Sequence, residues 1–202
     1  MALGDSYATL AELKTRIEVD DAVDDAALTN ALASASRGVD AFCGDGRQFN
    51  TDNTATAKIF YPLSADLALV DDFHTTTGLV VKSDDNEDGT FETTWASTDY
   101  QLEPLNKTRH GETWAYWKIR AVGSRSFRCA RRATLEVTAQ WGWAAVPAPV
   151  KEACLVVAEE TFKLKDAPFG VAGYGEFGAV RVRNNPLAAK MLMPYRRKAL
   201  VA

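Results

Sequence analysis

The apolar residues of this 202-residue chain change their spacing twice, and that change limits the folds open to it. Up to Cys43, and again from Pro149, apolar residues recur every three or four positions, as on one face of a helix. From Lys58 to Trp141, short segments instead alternate apolar and polar residues, as in strands with one buried face. The sequence therefore predicts an α+β fold, in which a helical bundle is interrupted by an inserted antiparallel β-sandwich or small barrel.

Two helices are predicted in the N-terminal part of the bundle. Thr9 and Glu12 have the spacing of a capping box, in which each side chain accepts a hydrogen bond from the backbone N–H of the other residue. The first helix is therefore expected to begin at Thr9. Apolar residues from Ala26 to Cys43 form one stripe of a second helix, and Gly44 is a suitable C-cap for it.

Two more helices are predicted in the C-terminal part. Pro149 suits the first turn of a helix that ends by Ala167-Pro168, and Asn185-Pro186 begins a short helix that Pro194 must kink or end. The predicted parts of the chain are an N-terminal helical part (1–46), an inserted β module (47–145) and a C-terminal part (146–202).

The segment between the last two helices fits neither a packed helix nor a polar loop. Its glycines, at positions 170, 173, 175 and 178, would each cost a helix roughly 1 kcal/mol relative to alanine. In an ordinary loop its apolar side chains would lie in water. We therefore expect an arm that another subunit covers, which suggests an assembly component rather than a catalyst. The interface residues predicted in this arm are Phe169, Gly170, Val171, Tyr174 and Phe177.

The net charge of −4 conceals an uneven distribution along the chain. Residues 1–103 carry 6 Lys/Arg and 20 Asp/Glu, whereas residues 104–202 carry 17 Lys/Arg and 7 Asp/Glu. Folding could mix these charges over the surface. Alternatively, the protein could have an acidic and a basic face suited to head-to-tail contact between copies or with a charged neighbour. The sequence leaves both interpretations open.

Residues suited to catalysis are scarce. His74 and His110 fall in predicted loops, and no nucleophile-elbow, phosphate-loop or zinc-protease motif occurs. Cys43, Cys129 and Cys154 are too widely spaced for a zinc site or a disulfide framework, and Cys154 is expected to be a buried, reduced thiol. We expect neither enzymatic activity nor a cofactor. No apolar run approaches the ~20 residues that a membrane-spanning helix needs, so no membrane association is expected.

One acidic loop allows a calcium interpretation. Asp84, Asn86 and Asp88 match the first oxygen-ligand positions of an EF-hand loop and Gly89 matches its turn, but the twelfth position is Trp95 instead of glutamate. Asp-Gly between two alternating segments is also a strong hairpin signal. We expect a hairpin turn without metal.

Arginines are concentrated between residues 120 and 132. The cluster comprises Arg120, Arg125, Arg128, Arg131 and Arg132. Clustered cations bind nucleic acid by releasing phosphate counterions, and Phe127 could stack on a base. No nucleic-acid-binding motif accompanies the cluster, so a solvated loop is favoured. A basic nucleic-acid-binding module remains the alternative function.

Four segments together resemble the head-to-tail connector, or adaptor, proteins of tailed bacteriophages. They are Tyr7 to Lys14 leading into the helix from Asp25 to Phe42, the hairpin region from Asp84 to Tyr100, the segment from Asp166 to Gly173, and Pro194-Tyr195-Arg196-Arg197. The resemblance implies a structural protein of the virion neck, assembled in the host cytoplasm. Its expected partners are copies of itself in a ring, usually of twelve subunits, the portal protein, and a stopper or tail-completion protein.

The same resemblance implies that genomic DNA passes through the ring without sequence-specific binding. It also implies roles for two segments. Phe169-Gly170-Val171 would contact a neighbouring subunit, and the C-terminal segment would dock on the portal. The docking residues implied are Met191, Leu192, Met193, Tyr195, Arg196, Arg197 and Lys198.

Overall fold

The chain folds into a helical unit and a β unit, as seen in a computed structural model that describes residues 4–109, 111–164 and 185–197. Of the described residues, the helical unit contains those up to Phe49 and those from Val146 onward, and the β unit contains those from Asn50 to Ala145. The predicted α+β class is confirmed, with antiparallel sheets that do not close into a barrel within the described residues. None of the helices in those ranges is long and apolar enough to cross a membrane.

The helical unit is built from α1 (Leu10–Ile17), α2 (Asp25–Cys43), α3 (Ala148–Lys163) and α4 (Pro186–Leu192), with a 3-10 turn at Met193–Tyr195. The predicted capping box is confirmed. The Thr9 backbone N–H donates to Glu12 Oε2 at 2.8 Å, and the Glu12 N–H donates to Thr9 Oγ1 at 3.2 Å. Gly44 caps α2 as expected, with a positive φ of 98° that favours glycine.

Helices α2 and α3 pack together through their apolar stripes. Leu28 and Val39 of α2 and Val150 of α3 are fully buried there. Cys154 lies in the same core with its Sγ 3.3 Å from the hydroxyl oxygen of Ser36, and burial raises the pKa of this thiol. The prediction of a buried, reduced Cys154 is confirmed.

Within its described residues, the β unit contains ten short strands in antiparallel pairs. They are β1 (Thr56–Phe60), β2 (Pro62–Ser64), β3 (Leu67–Phe73), β4 (Val80–Ser83), β5 (Thr93–Thr94), β6 (Tyr100–Glu103), β7 (Thr108–Arg109), β8 (Glu112–Thr113), β9 (Tyr116–Ala121) and β10 (Leu135–Ala139). One four-stranded sheet has the order β1-β10-β4-β5, and the other has the order β2-β3-β9-β6. Strands β7 and β8 form a separate hairpin.

Alternation along β10 decides which side of the first sheet is buried. Val137 lies opposite Val81 in the ladder and both side chains are fully buried, whereas Glu136 lies opposite Lys82, with which it forms an ion pair at 3.2 Å. The outer face of this sheet is therefore polar at its centre. Trp141, which follows β10, is also buried and donates its indole N–H to the Thr56 carbonyl at 2.9 Å.

The chain enters and leaves the β unit along paired segments. Thr51 and Gly142 form an antiparallel bridge, and the Trp143 N–H donates to the Asn50 carbonyl at 3.0 Å. The Thr51 hydroxyl donates to the Trp143 carbonyl at 2.6 Å. Trp143 in turn donates its indole N–H to the buried carboxylate of Asp72 at 2.8 Å. These bonds hold the first and last residues of the unit side by side.

Candidate assembly site

The C-terminal segment, defined as residues 186–197, is anchored in the helical unit by a row of aromatic rings. Tyr195 is only 4% exposed and packs edge-on against Phe49, with ring centroids 5.8 Å apart and an interplanar angle of 84°. Phe49 is fully buried and packs in the same way against Tyr7 at 5.6 Å. Such edge-to-face pairs are worth ~0.5–1.5 kcal/mol beyond the area they bury.

Hydrogen bonds to and from the backbone of this segment fix it to the end of α2 and the residues after it. The buried Arg47 side chain donates from Nε to the Tyr195 carbonyl at 2.9 Å, and the Arg197 N–H donates to the Cys43 carbonyl at 2.7 Å. Leu192 is fully buried. The segment is therefore part of the bundle's core and not a free tail.

The predicted docking residues divide into buried and exposed members. Leu192 and Tyr195 face the bundle, whereas Met193 is 58% exposed. Arg196 is exposed, with its guanidinium 5.7 Å from the centre of the Phe42 ring. Met191 and Arg197 are half-buried, and Lys198 lies outside the described residues.

Further exposed side chains lie on α4 beside Met193. Leu187 and Lys190 of α4 are exposed and stand at three-residue spacing, as Met193 does from Lys190. Residues at this spacing lie on the same side of a helix. The exposed side of the C-terminal segment is thus apolar and basic.

The arm residues predicted to contact a neighbouring subunit, Phe169 to Phe177, lie outside the described residues. Asn185, the first described residue after that stretch, contacts the C-terminal half of α3. The Asn185 side chain donates to the Glu160 carboxylate of α3 and accepts from the Ala188 N–H at 2.8 Å.

A phenol–carboxylate pair, in which Tyr7 is buried and Asp40 is half-buried, lies beside the aromatic row. The Tyr7 hydroxyl donates to the Asp40 carboxylate and accepts from the Phe49 N–H at 3.3 Å. Burial raises the pKa of both the Tyr7 phenol and the Asp40 carboxyl. The Tyr7 hydroxyl thus links α2 to Phe49, and the other carboxylate oxygen of Asp40 pairs with Arg37 at 3.2 Å, so the role of this pair is structural.

The acidic loop between β4 and β5 is organised by its own backbone. Strands β4 and β5 pair with Ser83 opposite Thr93, so the predicted hairpin is confirmed. The buried Asp84 accepts from the Glu87 N–H through one carboxylate oxygen and from the Gly89 N–H through the other, each at 2.7 Å. These bonds account for the conformation of the loop without a metal ion, although Asp84, Asp88 and Glu92 lie close together.

Most members of the predicted arginine cluster pair with carboxylates. Arg120 pairs with Asp66 at 2.7 Å and Glu103 at 2.9 Å, Arg125 with Asp99 at 3.1 Å, and Arg128 with Glu87 at 2.5 Å. Cations that already have carboxylate partners gain less from phosphate contacts, since the partner must first be displaced. This pairing counts against the nucleic-acid alternative.

Phe127, considered above as a base-stacking residue, is not available for that role. It is only 3% exposed, and its ring stacks on Trp95 with centroids 4.7 Å apart and an interplanar angle of 8°. The sequence could not reveal this contact, because the two residues are distant along the chain and Phe127 lies outside any regular strand.

The ion pairs also bear on the uneven charge distribution. Lys151 pairs with Glu12 at 2.8 Å in the helical unit, and Arg120 pairs with Asp66 in the β unit. In both cases a base from the second half of the chain neutralises an acid from the first half. Among the described residues, folding therefore mixes the charges, which favours the first of the two interpretations.

The sequence did not predict the exposed stripe of apolar side chains that lies on the β unit. Ile59 and Tyr61 are 61% and 64% exposed, and Leu63 is exposed as well. The three residues alternate along β1 and β2, with the half-buried Phe60 and Pro62 between them. The alternation Ile-x-Tyr-x-Leu was a visible signal, but the sequence alone does not say which face of the strand is buried.

No protein-family model matches the sequence, and no curated protein matches it. Its fold, in contrast, is similar to that of chains in solved gene transfer agent (GTA) particles. A chain in the neck of an empty GTA particle computed with C6 symmetry has a TM-score of 0.61 and 17% sequence identity, and the match covers 100% of this chain and 95% of that chain. A chain in the virion of a native GTA particle has a TM-score of 0.57 and 15% identity, with 100% of this chain and 95% of that chain covered. A chain in the neck of a native GTA particle computed with C12 symmetry has a TM-score of 0.52 and 15% identity, with 100% of this chain and 98% of that chain covered. At these identities the likeness shows a shared fold, and it extends over the whole chain.

Proposed function

We propose that this chain is a structural protein of the neck of a phage-like particle, where copies of it form a ring that joins the portal to a stopper or tail-completion protein. The observation that carries the proposal is the fold similarity to a chain in the neck of a GTA particle, which covers all of this chain and 95% of that one. A match over both units is more informative than a match to one of them, because helical bundles and small β units each occur in proteins of many functions.

The ring is proposed to hold twelve copies around the DNA exit channel. The neck structures with a similar chain have C6 and C12 symmetry, which supports a closed cyclic arrangement. In such a ring each subunit uses two different surfaces, one toward each neighbour. The apolar arm from Phe169 to Phe177 is proposed as part of one of these surfaces.

Portal docking is proposed for the exposed side of the C-terminal segment. Met193 and Leu187 offer apolar contacts there, and Lys190 and Arg196 offer positive charge. The buried Tyr195 and Leu192 are proposed to act indirectly, because they hold the segment against the bundle so that its outer side has a fixed shape. The complementary surface on the portal would then be apolar with acidic residues around it.

The docking proposal is tested with Met193→Glu and Arg196→Glu, which change exposed side chains and leave the anchoring residues in place. Purified protein is mixed with a portal ring, and the mass of the complex is measured. We expect about twelve copies of the unmodified chain to bind each portal ring, and the double variant to bind at least tenfold more weakly.

Val23→Glu is the matched control, because Val23 is highly exposed in the helical unit but lies far along the chain from the C-terminal segment. It should bind like the unmodified chain. Full binding by the Met193/Arg196 variant would refute the docking surface. Failure of the unmodified chain to bind any portal ring would refute the adaptor function itself.

A further inference from the structure

Two loops of opposite charge lie against each other in the β unit. The acidic loop, residues 84–92 between β4 and β5, contains five aspartates and glutamates and neither lysine nor arginine. The arginine loop, residues 122–134 between β9 and β10, contains four arginines and no acidic residue. The function proposed above uses neither loop.

Backbone hydrogen bonds and a buried ring hold the arginine loop in one position. The Asp84 N–H donates to the Thr134 carbonyl at 3.0 Å, and the Thr134 hydroxyl donates to the Arg128 carbonyl. In the middle of the arginine loop, the buried Phe127 stacks on Trp95, which directly follows β5. The loop is therefore fixed to the hairpin that carries the acidic loop, and its arginines project from a rigid base.

Two of these arginines form ion pairs at the surface. Arg128 pairs with Glu87 of the acidic loop at 2.5 Å, and Arg125 pairs with Asp99 at 3.1 Å. The Arg125 and Arg128 side chains nevertheless remain 39% and 52% exposed. Exposed ion pairs of this kind contribute little to stability, so the stability of the fold does not explain why both arginines are paired.

Arg132 extends the contact to the turn of the acidic loop. The Arg132 guanidinium packs on Gly89 so closely that a Cβ atom at that position would overlap it. Hydrogen bonds from the Thr90 hydroxyl and backbone N–H lower the pKa of Asp88, and the nearby charge of Arg132 lowers it further. Acidic groups thus lie beside three of the four arginines in the loop.

We infer that the acidic loop and Asp99 mask a DNA-binding surface formed by the arginine loop. Exposed arginines on a rigid base are suited to contacts with DNA phosphates, which gain affinity by releasing counterions. A carboxylate paired with the same guanidinium removes this gain, because the phosphate must first displace it. The biological reason rests on the proposed function, since a neck protein beside a DNA channel must let the genome pass, and masked arginines do not retain it.

The inference is tested by exchanging the masking carboxylates for amides of the same shape in the full chain. Glu87→Gln and Asp99→Asn together remove the anionic partners of Arg128 and Arg125. An amide oxygen at position 99 can still accept the Ala96 N–H, as the carboxylate does at 3.0 Å, so the local turn is kept. Binding to a short DNA duplex of mixed sequence is then measured at several salt concentrations.

At low salt, the Glu87/Asp99 variant should bind this duplex at least tenfold more tightly than the unmodified chain, and the slope of log affinity against log salt concentration should be steeper by about 1.8, as two additional phosphate contacts require. Glu87→Gln alone changes one exposed side chain and should steepen the slope by about 0.9. The circular dichroism of both variants should match that of the unmodified chain.

Glu18→Gln with Asp20→Asn is the matched control, because it removes the same number of negative charges from exposed side chains of the helical unit. This control should bind DNA like the unmodified chain. Adding Arg125→Gln and Arg128→Gln to the Glu87/Asp99 variant should return its affinity and its salt slope to those of the unmodified chain.

Equal DNA affinity of the Glu87/Asp99 variant and the Glu18/Asp20 control would overturn the inference, and so would tighter binding that persists after Arg125 and Arg128 are replaced. Tight, salt-sensitive binding by the unmodified chain would also overturn it, because the arginines would then not be masked. Each of these results leaves the proposed neck function intact. Conversely, failure of the unmodified chain to bind a portal ring would refute that function and not the masking, which is measured on the chain by itself.

Discussion

Replacing Tyr195 with alanine should destabilise the helical unit more than any other single change in the C-terminal segment. The side chain is almost fully buried, and its ring contacts Phe49, which in turn contacts Tyr7. Truncating a buried aromatic residue to alanine costs about 3–5 kcal/mol, because transfer free energy is lost and a cavity remains. Single domains are stable by only ~5–15 kcal/mol, so the loss is a large share of the total.

Two optical signals separate the response of the helical unit from that of the β unit. All five tryptophans lie in the β unit, between Trp95 and Trp143, so tryptophan emission reports on that unit alone. Circular dichroism at 222 nm reports mainly on the helices. In guanidinium unfolding, Tyr195→Ala should lower the free energy of unfolding obtained at 222 nm by about 3 kcal/mol or more.

Met193→Ala is the matched control, because Met193 lies two residues away and is exposed. It should change the free energy of unfolding by less than about 0.5 kcal/mol. A loss of less than about 1 kcal/mol for Tyr195→Ala would refute the reasoning. That result would mean that the aromatic row does not hold the C-terminal segment in place.

Three further predictions concern local interactions. Thr9→Ala should lower the stability of the helical unit by about 1 kcal/mol in chemical denaturation, because it removes one half of the capping box at α1. The hydrogen bond from Lys151, followed by those from Thr9, lowers the pKa of Glu12. The ionised Glu12 carboxylate therefore stabilises the folded chain fully above its pKa in the unfolded chain, and this stabilisation is lost as the pH falls through its lower pKa in the folded chain. Below about pH 4.5, the free energy of unfolding should therefore fall less steeply with decreasing pH in Lys151→Met than in the unmodified chain. Equal slopes would contradict the conclusion that Lys151 lowers the pKa of Glu12. Asp84→Ala should destabilise the β unit by about 1.5–3 kcal/mol in unfolding followed by tryptophan emission, because two loop N–H groups lose a charged acceptor. Added calcium should leave the melting temperature of the unmodified chain unchanged, and a rise that depends on calcium concentration would show instead that the loop binds the ion.

The features that the sequence predicts well are those that depend on neighbouring residues. The spacing of Thr9 and Glu12 predicts the start of α1, because a capping box needs only residues within one turn. Strict alternation predicts β10, and Asn185-Pro186 predicts the start of α4, for the same reason. Each of these elements is present where the local pattern places it.

The features that the sequence does not predict depend on contacts between distant residues. The order of the strands in two sheets follows from pairings such as β1 with β10, which no local pattern encodes. The burial of Phe127 under Trp95 and the exposure of Tyr61 both depend on that order. In the C-terminal segment, α4 is too short for its periodicity to show that Leu192 and Tyr195 face inward while Met193 faces outward.

The pairing of Thr51 with Gly142 at the entrance to the β unit has a consequence for how such a chain can change during evolution. Since the unit begins and ends at one hydrogen-bonded stem, the polypeptide between these points can be exchanged for another of different length while the helices on either side keep their spacing. A library that transplants residues 50–145 between chains of this fold, or replaces them with a short turn, would measure this modularity directly. Retention of the 222 nm unfolding transition in such chimaeras is the expected result. It would show that the bundle carries its own folding information and that the inserted unit can diverge to suit a new neighbour.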